Sequence, residues 1–192
     1  MVTPNELYFQ NVDAVMQAAR ERNLIISTTL YHQRYRKFIT LDNARAWAKW
    51  LAQRYKAMPN ILWSMTPEAK PEFVPILREL AAGLRDGDGG AHLITFKPDP
   101  APYSSSFIHG ESWLDFDSMQ TWKSVELIYP MVTKDYNLKP VKPVLMNPNL
   151  LGHSLGVRVN ADEVVALVVR WRFVGKDVPP HQMADDQILG SE

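Results

Sequence analysis

Carboxylates carry most of the chemistry this sequence could perform. Glu68 stands in Met65-Thr66-Pro67-Glu68, between a short apolar run and the start of an amphipathic segment, while Glu111, Asp115 and Asp117 cluster further on. Two carboxyl groups facing one substrate can protonate a leaving oxygen and activate a nucleophile on the other side. A serine competes for the role. Gly152-His153-Ser154-Leu155-Gly156 has the spacing of a nucleophile elbow, and Asp177 and His181 follow in hydrolase order. An elbow needs a strand directly before it and a helix directly after. Here Pro148 and Asn149 precede and Val157-Arg158-Val159 follows, so a serine hydrolase built on Ser154 is the lesser reading.

Metal chemistry finds little support. Asp86-Gly87-Asp88-Gly89 opens like a calcium loop, but its twelfth position is Lys97 where a glutamate belongs. The segment reads as a helix-ending turn. The five histidines show neither H-x-H nor H-E-x-x-H spacing, so no dedicated metal site and no cofactor are expected. Without cysteine there is no disulfide and no thiolate nucleophile. Lys plus Arg and Asp plus Glu each total 21, leaving no basic excess for nucleic acid. The longest apolar stretch, Val164 to Val169, falls far short of the ~20 residues that cross a bilayer. Met1 to Gln10 lacks the basic and apolar regions of a signal peptide.

The elements that must position these residues alternate between two periods. Thr3-Pro4-Asn5-Glu6 reads as a helix start, with Tyr8, Val12, Val15, Met16 and Ala19 on one face. Leu24 to Leu30 reads as a strand buried on both faces. Thr40 caps a second helix with the stripe Leu41, Ala44, Trp47, Ala48, Leu51 and Tyr55, and Ile61 to Met65 makes the next strand. A helix from about Pro71 turns Phe73, Leu77, Leu80, Ala81 and Leu84 inward and ends at Gly87 to Gly90. Strands then fall at His92 to Phe96, Leu114 to Gln120 and Val144 to Met146, with a helix over Val125 to Tyr136. A long polar loop, Lys97 to Ser112, separates the third strand from the fourth. Strand–helix alternation predicts an α/β fold with a parallel sheet. No G-x-G-x-x-G follows the first strand, and the long loops after strands hold the unusual residues. Both favour a partial (β/α)8 TIM barrel of about five strands over an open sheet.

After Met146 the pattern changes. Val164 to Phe173 is too rich in β-branched residues for a helix, and Gly175 to Glu192 is polar and aperiodic. Residues 1–146 are expected to form the partial barrel and 147–192 a divergent tail, as a frameshift or a truncated reading frame would produce.

An ordered series of words gives this reading a family. Asn43-Ala44-Arg45-Ala46, Asn-Ile-Leu-Trp at 60 to 63, Arg85-Asp86-Gly87-Asp88-Gly89-Gly90-Ala91-His92-Leu93-Ile94-Thr95, Ser104 to Ser106, Trp113-Leu114-Asp115-Phe116 and Lys142-Pro143-Val144-Leu145 run in sequence. Together, from about Asn5 to Met146, they resemble the apiosidase-like catalytic domain, a family of bacterial glycoside hydrolases on a (β/α)8 barrel that act on plant cell-wall glycans. The resemblance implies that the chain starts near the helix before the family's third strand. It places Glu68 at the acid/base carboxylate. The family's second carboxylate, the presumed nucleophile, maps to Met146-Asn147-Pro148-Asn149, where no glutamate stands. It also implies a carbohydrate substrate, relatives exported from bacteria, and a chain that is a fragment of the whole enzyme. The runner-up is a remnant that binds carbohydrate without cleaving it. Strand-end aromatics suit sugar rings, through apolar faces and polar edges: Tyr31, Trp63, Tyr103 and Trp122. His32, Lys97 and Gln120 sit at similar ends and could hydrogen-bond hydroxyls, whereas Trp47, Trp50 and Trp113 read as core. A partial barrel leaves strand edges open, so self-association is expected.

Overall fold

A computed structural model describes residues 4–66, 70–101, 103–121, 125–146 and 166–169. Helix α1 (Glu6–Glu21) starts at Asn5, whose side-chain oxygen accepts from the Tyr8 amide at 3.3 Å. Asparagine is among the residues that cap best, and this one lies within the four-residue start read from the sequence. Phe9, Val12, Met16 and Ala19 are buried, while Val15 is exposed. Helix α2 (Leu41–Tyr55) follows Thr40, whose amide donates to Asn43 Oδ1 at 2.9 Å. Its buried face is Ala44, Ala48, Leu51, Ala52 and Tyr55; Leu41, in the first turn, is exposed.

That alanine-rich face has a purpose. Helix α3 (Val74–Asp88) lays Gly83 and Gly87 against it. A Cβ on Gly83 would stand 2.3 Å from the Arg45 carbonyl oxygen, and one on Gly87 2.5 Å from that of Lys49. The two backbones therefore nearly touch. A 3-10 turn at Pro71–Phe73 precedes α3 where the sequence suggests continuous helix. Gly89, at φ 70°, ends α3 in the left-handed region that glycine adopts freely, and its amide donates to the Arg85 carbonyl.

Strands β1 (Ile25–Thr28), β2 (Ile61–Ser64) and β3 (Ile94–Thr95) pair in parallel in the order β3-β2-β1. β4 (Asp117–Met119) and β5 (Val144–Met146) form a second parallel pair, preceded by α4 (Ile128–Tyr136) for β5. Bonds across the junction continue the wall: the Asp115 amide donates to the Ile94 carbonyl, Thr95 Oγ1 to that of Phe116, and Ser118 Oγ to that of Phe96. The fourth strand is shorter than its sequence suggests. Asp115 Oδ2 takes the Ile94 amide at 2.6 Å and Arg85 at 2.8 Å, so a side chain replaces the ladder there.

A sixth strand, β6 (Ala166–Val169), lies in the stretch expected to be tail. It pairs in parallel with β1 on the side away from β2, matching Ile25 with Ala166 and Thr28 with Val169. The edge of β1 expected to be open is therefore covered by the chain itself.

Candidate active site

Parallel barrels carry their chemistry beyond the carboxyl ends of the strands. Three ties join the loops there, each between neighbours. Arg36, in the 3-10 turn Gln33–Phe38 after β1, places its guanidinium 4.4 Å from the ring centre of Phe73 in the turn after β2. Lys70, after β2, pairs with Asp99 in the loop after β3 at 3.8 Å. Gln120, at the end of β4, donates from Nε2 to the Pro98 carbonyl at 2.7 Å and accepts the Ala101 amide on its own carbonyl at 2.9 Å. Loop positions are thus fixed relative to one another across β1, β2, β3 and β4.

The residues singled out from sequence fall unevenly on this face. Glu68, Trp122 and Ser154 lie outside the described residues. His32 caps the turn after β1, with Nδ1 accepting the Arg34 amide at 3.2 Å, and remains half-buried at the site's margin. Lys97 lies two residues past the end of β3 and is only 6 % exposed. Gln120 is fully buried and acts as the clip just described, so its amide serves the protein rather than a ligand. Tyr103 is exposed on the loop after β3.

Two aromatic expectations are corrected. Trp63 is 1 % exposed and turns toward the helices, where its indole N–H donates to Asp88 Oδ2 at 3.2 Å. Strand alternation sends it away from the barrel interior. Tyr31, 2 % exposed, lines a cavity of about 20 Å³ with Tyr8, Phe9, Trp47 and Leu51 between α1, α2 and β1. That space holds about one water. Burial pushes the Tyr31 phenol up to about 12, against the neighbouring Arg36 charge. Neither ring offers a face to a sugar.

The carboxylates of the long loop region are also accounted for. Glu111 holds Arg78 at 2.7 Å and the Trp113 indole at 3.0 Å, and the arginine keeps its carboxyl below the usual range. Asp115 is bound to Arg85, as above. Asp117 Oδ2 meets His109 Nδ1 at 2.7 Å, and His109 Nε2 meets the Pro140 carbonyl at 2.7 Å. Burial raises the Asp117 carboxyl, only partly offset by His109. These contacts belong to a polar strap that fastens the long loop to β4. In it Ser105 Oγ donates to the Ser118 carbonyl, Ser104 Oγ donates to Asp135, and Lys142 donates to the His109 and Glu111 carbonyls. Apart from the serine run, nothing in the residue pattern announces this strap. Nor does it announce Asp99, although Pro98-Asp99-Pro100 marks a turn at a strand end.

Comparison with known proteins then supplies what the geometry does not. The family model described as the apiosidase-like catalytic domain matches residues 1–153. A crystal structure of a glycoside hydrolase of family 5 from Bacteroides vulgatus is 24% identical with a TM-score of 0.64, the match covering 71% of this chain and 33% of that one. A second solved structure, described as a glycoside hydrolase, is 25% identical with a TM-score of 0.65, covering 71% of this chain and 35% of its own. This chain therefore spans about a third of the length of either structure. No curated protein matches it. The parallel strands, their connecting helices and these similar structures make the fold a partial (β/α)8 barrel. By the extent of the family match, the chain belongs to the apiosidase-like catalytic-domain family.

Proposed function

We propose that this chain is part of a glycoside hydrolase that cleaves O-glycosidic bonds in plant cell-wall, pectic glycans, with Glu68 as the acid that protonates the leaving oxygen. The observation that carries this is the family match over residues 1–153, which includes Glu68 just past β2. Position adds support, since Glu68 follows the carboxyl end of a parallel strand, where barrel enzymes keep their catalytic groups. In this reading residues 1–146 form the barrel part and 147–192 a divergent tail that lends β6 to the sheet. The ligand is a carbohydrate, held near His32 and Lys97 at the mouth, with Trp122 as the candidate stacking ring.

A second reading rests on one specific fact. Met146-Asn147-Pro148-Asn149 offers no glutamate where the family's second carboxylate falls, which favours a remnant that binds glycans without cleaving them. Release of chromophore from a panel of aryl glycosides, and of reducing ends from pectic oligosaccharides, separates the two. Hydrolysis should be present in the wild type and fall by a factor of about a hundred or more in Glu68→Gln, the range of general acid catalysis. A rate unchanged in Glu68→Gln removes Glu68 from the mechanism. Binding without turnover establishes the remnant.

A further inference from the structure

Three rings stand in a column on the turn after β1. A 3-10 helix repeats every three residues, so side chains at i and i+3 eclipse one another. In the turn Gln33–Phe38 that spacing aligns His32 at the cap with Tyr35 and Phe38. The ring centres of His32 and Tyr35 lie 6.4 Å apart, and those of Tyr35 and Phe38 6.3 Å apart with 30° between their planes. Runs of this helix beyond three or four residues are uncommon, and this one has six. Both of its ends are pinned. His32 Nδ1 accepts the Arg34 amide and the His32 carbonyl accepts that of Tyr35, while Asn43 Nδ2 donates to the Phe38 carbonyl at 2.8 Å. Arg36 packs over the Phe73 ring of the neighbouring loop. The column is therefore preorganised at the mouth of the barrel, and a ligand would not have to order it.

Single exposed apolar residues are ordinary on any surface. Here the exposed ring, Phe38 at 55%, ends a column whose other members, His32 and Tyr35, are half-buried. Cations flank the column without acids. From Leu24 to Leu41 the chain holds Arg34, Arg36 and Lys37 and no aspartate or glutamate. Arg34 and Lys37 are exposed, and neither has an ion-pair partner among the described residues. Lys37 Nζ lies 5.1 Å from the Phe38 ring centre. A sugar ring presents an apolar C–H face to an aromatic ring, and a carboxylate on that sugar is matched by a guanidinium or an ammonium. We propose that His32, Tyr35 and Phe38 form a stacking subsite for a glycan bearing uronic-acid carboxylates, with Arg34 and Lys37 pairing those carboxylates; the class of ligand rests on the glycoside-hydrolase reading above. The subsite holds sugar residues by face and charge and takes no part in bond cleavage. Single-stranded nucleic acid also stacks on rings beside cations, but it needs a basic groove along its backbone, and this chain has no net charge.

The test is calorimetric titration of the full chain with oligogalacturonate and with its fully methyl-esterified form, which keeps the rings and removes the carboxylates. The wild type should bind the acid about fivefold more tightly than the ester. Changing Arg34 and Lys37 together to Gln should abolish that preference. Phe38→Ala should weaken binding of the acid about tenfold with an unchanged melting curve, and Phe38→Trp, which keeps a stacking face, should hold it near the wild-type value. Tyr136→Ala, at the far end of α4 and 58% exposed, is the control and should change nothing. Wild-type affinity in Phe38→Ala overturns the column. Equal affinity for acid and ester, or an acid preference that survives the Arg34→Gln, Lys37→Gln double variant, overturns the pairing; that variant touches only exposed side chains, so it decides even where the ring variant is unstable. Tighter binding of polyuridylate than of oligogalacturonate overturns the glycan assignment. Binding of neither saccharide overturns the subsite, while the hydrolase reading is judged separately, by chromophore release from the aryl glycosides.

Discussion

His109 and Asp135 stand at the two ends of the strap that binds the long loop to β4, and the charge state of its acids sets how well it holds. Burial keeps the Asp135 carboxyl above the ordinary range, the nearby Asp117 charge adds to this, and the Ser104 hydroxyl only partly offsets it. His109 and Lys134 lower it further, as smaller effects. An acid whose folded value exceeds its unfolded one contributes stability in acid, and loses that contribution as pH rises through the folded value. Asp135→Asn removes one such group. The fall in Tm between about pH 4.5 and about pH 7.5 should therefore shrink in the variant, as thermal melts at both values will show. Equal falls in the two proteins refute this account. Glu111, held low by Arg78, responds with the opposite sign, but equally in both proteins, so it cancels in the comparison. At this scale the sequence reveals residue types at strand ends but not the directions of side chains. Gln120 reads as a ligand donor because its partner, a carbonyl in another loop, leaves no mark on its neighbours in the chain. Trp63 reads as a platform because a short apolar run does not disclose which of its faces meets the helices.

The contact between α2 and α3 depends on the absence of atoms. Gly83 and Gly87 let α3 lie against the carbonyls of Arg45 and Lys49, and no flexible side chain is there to yield. Gly87→Ala should cost about 1–3 kcal/mol, as overpacking of a close-packed interface does. Gly110→Ala, which meets nothing within 4 Å, is the control. Urea midpoints measure both, and a Gly87→Ala protein as stable as the control shows that the helices separate without penalty. Elements were largely legible in the residue pattern, because helical stripes such as Phe9, Val12, Met16 and Ala19 obey a period that tertiary contacts reinforce. Lengths were not. β3 and β4 contract to Ile94–Thr95 and Asp117–Met119 because Asp115 and Ser118 spend side-chain groups on bonds a longer ladder would make. β6 was not foreseen as part of the sheet. Its β-branched composition excluded a helix, but nothing local names a partner as distant as β1.

At the scale of the molecule, β6 decides which edges are covered. Ending the chain at Met146 removes it and bares the backbone donors and acceptors of Ile25 to Thr28. The shortened chain should self-associate more strongly than the full one. Sedimentation velocity over a concentration series is the measurement, and indistinguishable distributions would mean that β6 protects nothing. The same pairing also sets an order of events during synthesis. β1 leaves the ribosome well before β6, since Ile25 pairs with Ala166, 141 positions further on. Translation proceeds at about 5–20 residues per second, so β1 waits roughly 7–28 s for that neighbour. Contacts this remote in sequence also close slowly, because the loop entropy must be overcome before they form. Until then the side of β1 that β6 covers offers its backbone groups to any other strand.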